Sequence, residues 1–209
     1  MAAPLPFSES ELALLRVLLK RKVRFMVVGL SAATLQGAPV VTQDVDLWFE
    51  NLGELKISRA LQEVGAAYVP PSNFNPPMLA GAGAELFDIV LRMDGLGTFA
   101  DEIKNCVEIP LGRQKLKVLS LERILASKIA ANRAKDRLTI PVLRDALAAT
   151  QSVKRRAKKN ERSQRQQTRH RRDEETSERR LQTPWPPLIK MDAAVKTKEE
   201  KLFNLQQPT

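Results

Sequence analysis

The chain has 209 residues, enough for one ordinary domain and an appendage, with 43% hydrophobic residues and a formal net charge of +10. A single cysteine, Cys106, excludes an internal disulfide framework, and with the single His170 it leaves too few soft ligands for a zinc site. Residues 23–35 are broken by Arg24, Gly29 and Ser31, so no run approaches the ~20 apolar residues of a membrane span.

The amino terminus has no basic segment followed by an apolar stretch and cleavage site, so no signal peptide is expected. These features predict a cytoplasmic protein with no membrane contact, and oxygen ligands for any metal. The charge is unevenly placed. Residues 1–150 hold 18 Lys/Arg against 16 Asp/Glu, whereas residues 151–209 hold 16 against 8. The basic character therefore belongs to the tail and not to the folded part.

Ser8 and Glu11 have the spacing of a capping box, and Leu12, Leu14, Leu15, Leu18 and Leu19 follow at helical spacing, which predicts a helix over 9–22. Residues 23–28 are short, apolar and rich in valine, a buried strand ending at Gly29. A short helix over 31–36 is stopped by Gly37 and Pro39. Residues 42–50 read as a second strand, with Asp44, Asp46 and Trp48 on one face. A helix over 53–64 closes at Gly65. Residues 70–77 contain four prolines and are expected to form a loop, long enough to border a site.

Strand character returns over 84–93 around Asp88. Two further short strands, 105–110 and 114–119, turn at Gly112, and helices are expected over 120–131 and 135–149, the latter kinked at Pro141. Residues 151–181 carry only Val153 and Leu181 as sizeable apolar groups, so disorder is expected there, with a lone charged helix that has nothing to pack on as the alternative. Trp185-Pro-Pro-Leu-Ile is a candidate docking motif. The expected organisation is a mixed-sheet α/β (α+β) domain over 1–150 and a basic tail over 151–209.

Asp44 and Asp46 lie two apart on a strand, so both carboxylates point to the same face and can reach one hard cation. A buried strand turning at Gly29 into a short helix presents backbone N–H groups and the Ser31 hydroxyl to an anion. Asp88, between Phe87 and Ile89, supplies a third carboxylate. Its alternative role is a buried acid tied to a backbone donor or to Arg92. Lys135-Asp136 has the look of an ion pair at a helix start.

Val27-Val28-Gly29-Leu30-Ser31, continuing to Gly37, and then Thr42-Gln43-Asp44-Val45-Asp46 resemble the signature of the DNA polymerase β-like nucleotidyltransferase superfamily. Within it they resemble the small bacterial AbiEii/MenT-type toxins and minimal nucleotidyltransferases. Val118 to Glu122, Lys128, and Asn132 to Arg137 resemble the segment that ends the domain in those proteins, so the likeness covers residues 20–147. The resemblance implies a nucleotidyltransferase fold that moves a nucleoside monophosphate from an NTP to an acceptor hydroxyl.

It also implies that Asp44, Asp46 and Asp88 hold Mg²⁺, that Gly29 and Ser31 line the phosphate turn, and that Lys128 and Arg133 meet the triphosphate. RNA, tRNA, protein and small-molecule acceptors all stay open, as does an antitoxin-like partner in a toxin–antitoxin or phage-defence pair. Two departures from the pattern, Leu30 after the glycine and Val40-Val41 before Thr42, keep open a catalytically degenerate, binding-only protein. The tail keeps open simple RNA binding.

Overall fold

The structure is a computed structural model and describes residues 7–182 apart from Phe74 and Ala82. It divides into two units, Met1–Arg156 and Ala157–Thr209. The first unit holds a five-stranded mixed sheet, with strand order β5-β2-β1-β7-β6. Its strands are β1 (Phe25–Val27), β2 (Val45–Phe49), β5 (Phe87–Val90), β6 (Cys106–Leu111) and β7 (Gln114–Leu119). A separate two-stranded sheet pairs β3 (Ala66–Val69) with β4 (Met78–Gly81). The described helices are α1 (Glu9–Lys20), α2 (Gly29–Thr34), α3 (Leu55–Glu63), α4 (Phe99–Glu102), α5 (Leu121–Ala131) and α6 (Ala134–Gln182).

The capping box expected at the first helix is present. Glu11 N donates to Ser8 Oγ at 3.3 Å, and Ser8 N donates to a Glu11 carboxylate oxygen at 2.6 Å. That closure aims Leu14, Leu15 and Leu18, all fully buried, into the core. Every residue of β1 is buried, so both faces of the sheet are covered at its centre. β1 runs antiparallel to β2 and parallel to β7, while β2 runs parallel to β5. Trp48 meets Phe99 edge-on at 6.0 Å, which fixes α4 against β2.

Four expectations change. The strands expected over 23–28, 42–50 and 84–93 are each shorter at both ends, and Asp44 precedes β2 instead of lying within it. The proline-rich segment connects β3 to β4, and none of its described residues lines the clefts found below. The helix expected to stop at 149 continues, with Pro141 inside it, to Gln182, so the segment expected to be disordered is helical. Residues 151–169 are exposed all round, so that stretch rests on local propensity (Ala, Arg, Lys, Gln and Glu are strong helix formers) and not on a buried face. The Trp185 motif lies outside the described residues. No helix among the described residues is long and apolar enough to cross a membrane.

Candidate active site

Asp46 and Asp88 stand in register on the parallel strands β2 and β5. Adjacent strands lie about 4.8 Å apart, so the two carboxylates are neighbours on one face. Asp46 is half-buried and Asp88 exposed. Burial is the main reason the Asp46 carboxyl is pushed up to about 6. Asp88 and Asp44 add to the rise, and Lys128 and Lys135 oppose it. The expectation that Asp88 sits in apolar surroundings is therefore corrected: its carboxylate faces water, because the β5 residue that turns inward is Phe87.

Gly29 stands at the end of β1 with φ +65, and a Cβ there would fall inside the Asp46 carboxylate. Only glycine fits both the left-handed backbone and that close approach. Val28 N donates to Asp46 O at 2.9 Å, which stitches the turn to β2. Leu30 does not crowd the turn. Its side chain packs against the hydrophobic core.

Ser31 is placed differently from expectation. Its buried hydroxyl donates to Val28 O at 3.0 Å and accepts from Asp46 N at 3.3 Å. It is a strut that holds the turn against β2. It lines a second cleft and not the one that holds Gly29 and Asp46.

The second wall comes from α5 and the start of α6. Asn132 ends α5 in the left-handed conformation with φ 46, which reverses the chain and brings Asp136 under Lys128. Asp136 is fully buried. Its carboxylate accepts from Lys128 Nζ at 2.8 Å and from Arg133 Nε at 2.7 Å. It also accepts from Arg133 N at 3.3 Å, so from the first turn of α6 it ties down the backbone that precedes the helix. Burial alone would raise this carboxyl, but the hydrogen bonds from Lys128 and Arg133 outweigh it and hold it down at about 2.

The expected Lys135–Asp136 pair is thus corrected. Successive helix residues do not face one another, and Asp136 grips Lys128 and Arg133 instead. Lys135 makes no ion pair among the described residues and is exposed at the same cleft.

These elements enclose a cleft of about 230 Å³ lined by Gly29, Asp46, Arg92, Asp94, Lys128, Arg133 and Lys135, among others. Two carboxylates, Asp46 and Asp94, share it with four cations. Asp44 lies apart, at the rim of a cleft of about 270 Å³ with Phe7, Glu11, Ser31, Val40, Val41 and Leu86. The expected three-carboxylate cluster is not gathered: no group of three His, Cys, Asp or Glu side chains among the described residues is close enough to hold a metal ion. Two neighbouring carboxylates still suit Mg²⁺, which is commonly held by one or two carboxylates, with water and phosphate oxygens filling its shell.

Arg92 and Lys135 are the cleft cations that the sequence did not single out for this purpose. The signal available for Lys135 was its place three residues past the Asn132 turn. Cys106 is half-buried, with its thiol pushed up to about 11 by burial, and serves packing.

No family profile and no curated protein sequence matches the chain. Among solved structures it resembles the crystal structure of ANT(2'')-Ia in complex with adenylyl-2''-tobramycin, at 16% identity and a TM-score of 0.46, over 66% of this chain and 88% of that one. The solution structure of ANT(2'')-Ia is similar at 16% identity and a TM-score of 0.47, over 78% and 97% of the two chains. An antigenic nucleotidyltransferase-like protein from Paracoccidioides brasiliensis is similar at 19% identity and a TM-score of 0.42, over 66% and 77%. Likenesses this distant assign neither an activity nor an acceptor, so the chemistry of the cleft is argued from its own residues.

Proposed function

We propose that the protein is a nucleotidyltransferase that moves a nucleoside monophosphate from an NTP to an acceptor hydroxyl. The observation that carries this reading is Asp46, in register with Asp88 on the neighbouring strand and sharing one small cleft with Lys128, Arg133 and Lys135. Asp46 and Asp88 are the oxygen donors that would hold Mg²⁺. A cation bound there neutralises phosphate charge beside the carboxylates.

The cations of α5 and α6 receive the β- and γ-phosphates. Lys135 and Arg92 are uncommitted to any ion pair among the described residues, whereas Lys128 and Arg133 are fixed in place by Asp136. The turn at Gly29 lets the Asp46 carboxylate lie directly against the backbone at the mouth of the cleft. The acceptor oxygen bonds to the α-phosphorus as the bond to the β-phosphate oxygen breaks. Pyrophosphate leaves, and the hydroxyl proton passes to the exposed Asp88 carboxylate and on to water. The protein contributes position and charge and no covalent intermediate.

The test incubates the protein with each α-³²P-labelled NTP, Mg²⁺, and total RNA or total protein, beside Asp44→Ala/Asp46→Ala. Label entering an acceptor, and lost in the double variant, is the expected result. Mg²⁺-dependent NTP binding without transfer to RNA, protein or small molecules would replace this reading with a binding-only protein. Loss of NTP binding as well would remove the assignment of the cleft.

A further inference from the structure

Asp46 and Asp88 stand in register on β2 and β5, and Trp48 and Val90 are the pair two residues further along the same strands. Two residues of strand return to the same face after about 6.6 Å. Val90 lines the cleft of Lys128, Arg133 and Lys135, Trp48 lines a wider groove of about 850 Å³, and Arg92 lines both. The groove therefore continues the cleft along one face of the sheet.

Its lining is of a different kind. Trp48, Leu52, Leu91, Leu96 and Phe99 supply apolar surface, and Leu91 is 62% exposed. Most polar side chains of the groove are already engaged with their own surroundings. Glu50 pairs with Arg24 at 3.0 Å, the Thr98 hydroxyl donates to Asp101 at 2.6 Å, and Asn51 Oδ1 accepts from Gly53 N at 2.9 Å. What is left is Arg92, at the junction with the cleft, and the amide nitrogen of Asn51. A lone amide donor does not tell bases apart, because every base carries acceptors.

In phosphoryl transfer the attacking and leaving oxygens stand roughly in line across phosphorus. With pyrophosphate leaving into the cationic cleft, the attacking hydroxyl arrives from the opposite side. A groove that shares Arg92 with that cleft lies beside the leaving group, which is the place of the nucleoside and not of the acceptor. Its volume falls within the ~300–1,000 Å³ usual for small-ligand sites.

We infer that the groove of Trp48, Leu52, Leu91, Arg92 and Leu96 is the nucleoside subsite, and that it holds the base by apolar contact, so that all four NTPs serve as donors. This rests on the nucleotidyltransferase reading above. A site built to hydrogen-bond its ligand rejects a wrong partner by roughly 10⁴–10⁵, whereas apolar contact separates similar ligands far less.

The experiment titrates the full chain, with Mg²⁺ present, with ATP, GTP, CTP and UTP, and with methyl triphosphate, which keeps the charged chain and lacks the nucleoside. The four NTPs are expected to bind within about tenfold of one another, each about tenfold or more tighter than methyl triphosphate. Leu91→Ser, at a largely exposed position, is expected to weaken all four NTPs by about fivefold and methyl triphosphate by less than about twofold.

One NTP bound a hundredfold or more (about 2.7 kcal/mol) tighter than the rest would overturn the inference, because its base would then be read by hydrogen bonds. Methyl triphosphate binding as tightly as the NTPs would overturn it too, and so would a Leu91→Ser protein with unchanged NTP affinity. If that variant lost transfer while its NTP affinity held, the groove would belong to the acceptor instead. Failure of NTPs and methyl triphosphate alike to bind the unaltered chain would be the failure of the underlying transferase reading, and that titration distinguishes it.

Discussion

Asp46 carries charge at a half-buried position beside two other acids, and the protein is less stable for it. Between the ordinary carboxyl value of 3.8 and about 6, the folded protein keeps a proton there that the unfolded chain has released. Stability of the metal-free protein therefore falls as pH rises through that window, by about 3 kcal/mol. Asp46→Asn is expected to abolish transfer yet raise the Tm at pH 7 by several degrees, and to flatten the pH dependence between 4 and 6 in thermal melts. Asp136 behaves in the opposite sense. Its carboxyl is held at about 2 against an ordinary 3.8, so its contribution is complete above pH 4 and is lost as pH falls through 2. Asp136→Asn leaves the buried end of Lys128 without a counter-charge and is expected to cost about 3–5 kcal/mol in urea unfolding. The acids were legible in the sequence because two carboxylates at strand spacing are a local pattern. The grip of Asp136 on Lys128 and Arg133 was not, because it depends on the reversal at Asn132. The Ser31 hydroxyl was misplaced for a similar reason. A short helix can begin at Gly29 or at Ser31, and only the earlier start turns that side chain inward to Val28 O and Asp46 N.

Elements with strong periodic or capping signals were found close to their true bounds: the capped first helix, the β6–β7 hairpin around Gly112, and α5 after Ser120. Those without such signals were missed. β3 and β4 have four residues each, and Ala66-Ala67-Tyr68-Val69 shows no alternation that separates a strand from a helix. α4 was missed although Thr98 and Asp101 form a capping box, because it is a single turn with no periodic run, anchored by buried Glu102, which accepts from Arg123 of α5. The long helix matches the alternative of a lone charged helix and not the disorder first expected from composition, because the intrinsic preference of Arg, Lys, Gln and Ala favours helix without burial. Because residues 151–169 bury nothing, a chain ended after Arg156 is expected to keep the Tm of the full chain within about 2 °C, while losing helical signal in far-UV circular dichroism. A larger drop would mean that the second unit supports the first.

At the scale of the whole molecule, the mixed α/β class was legible because strand-like and helix-like periods alternate along residues 9–149, and the structure bears it out with two sheets among its described residues. The site draws on residues far apart in sequence: Gly29 after β1, Asp46 in β2, Asp88 in β5, Lys128 in α5 and Lys135 in α6. Sequence alone orders such parts but does not say which face each wall presents, and so the separation into a cationic and an acidic cleft became visible only in three dimensions. The strand order has one more consequence. β1 lies between β2 and β7, and β7 ends at Leu119. As the chain leaves the ribosome, β1, β2 and β5 emerge well before the strand that completes the other edge of β1. For that interval the nascent protein presents a buried-type valine edge with open hydrogen-bonding groups, a template for pairing with a neighbouring chain. Synthesis therefore passes through a vulnerable stage that closes only when β7 docks, and chaperone demand belongs to that stage and not to the finished fold.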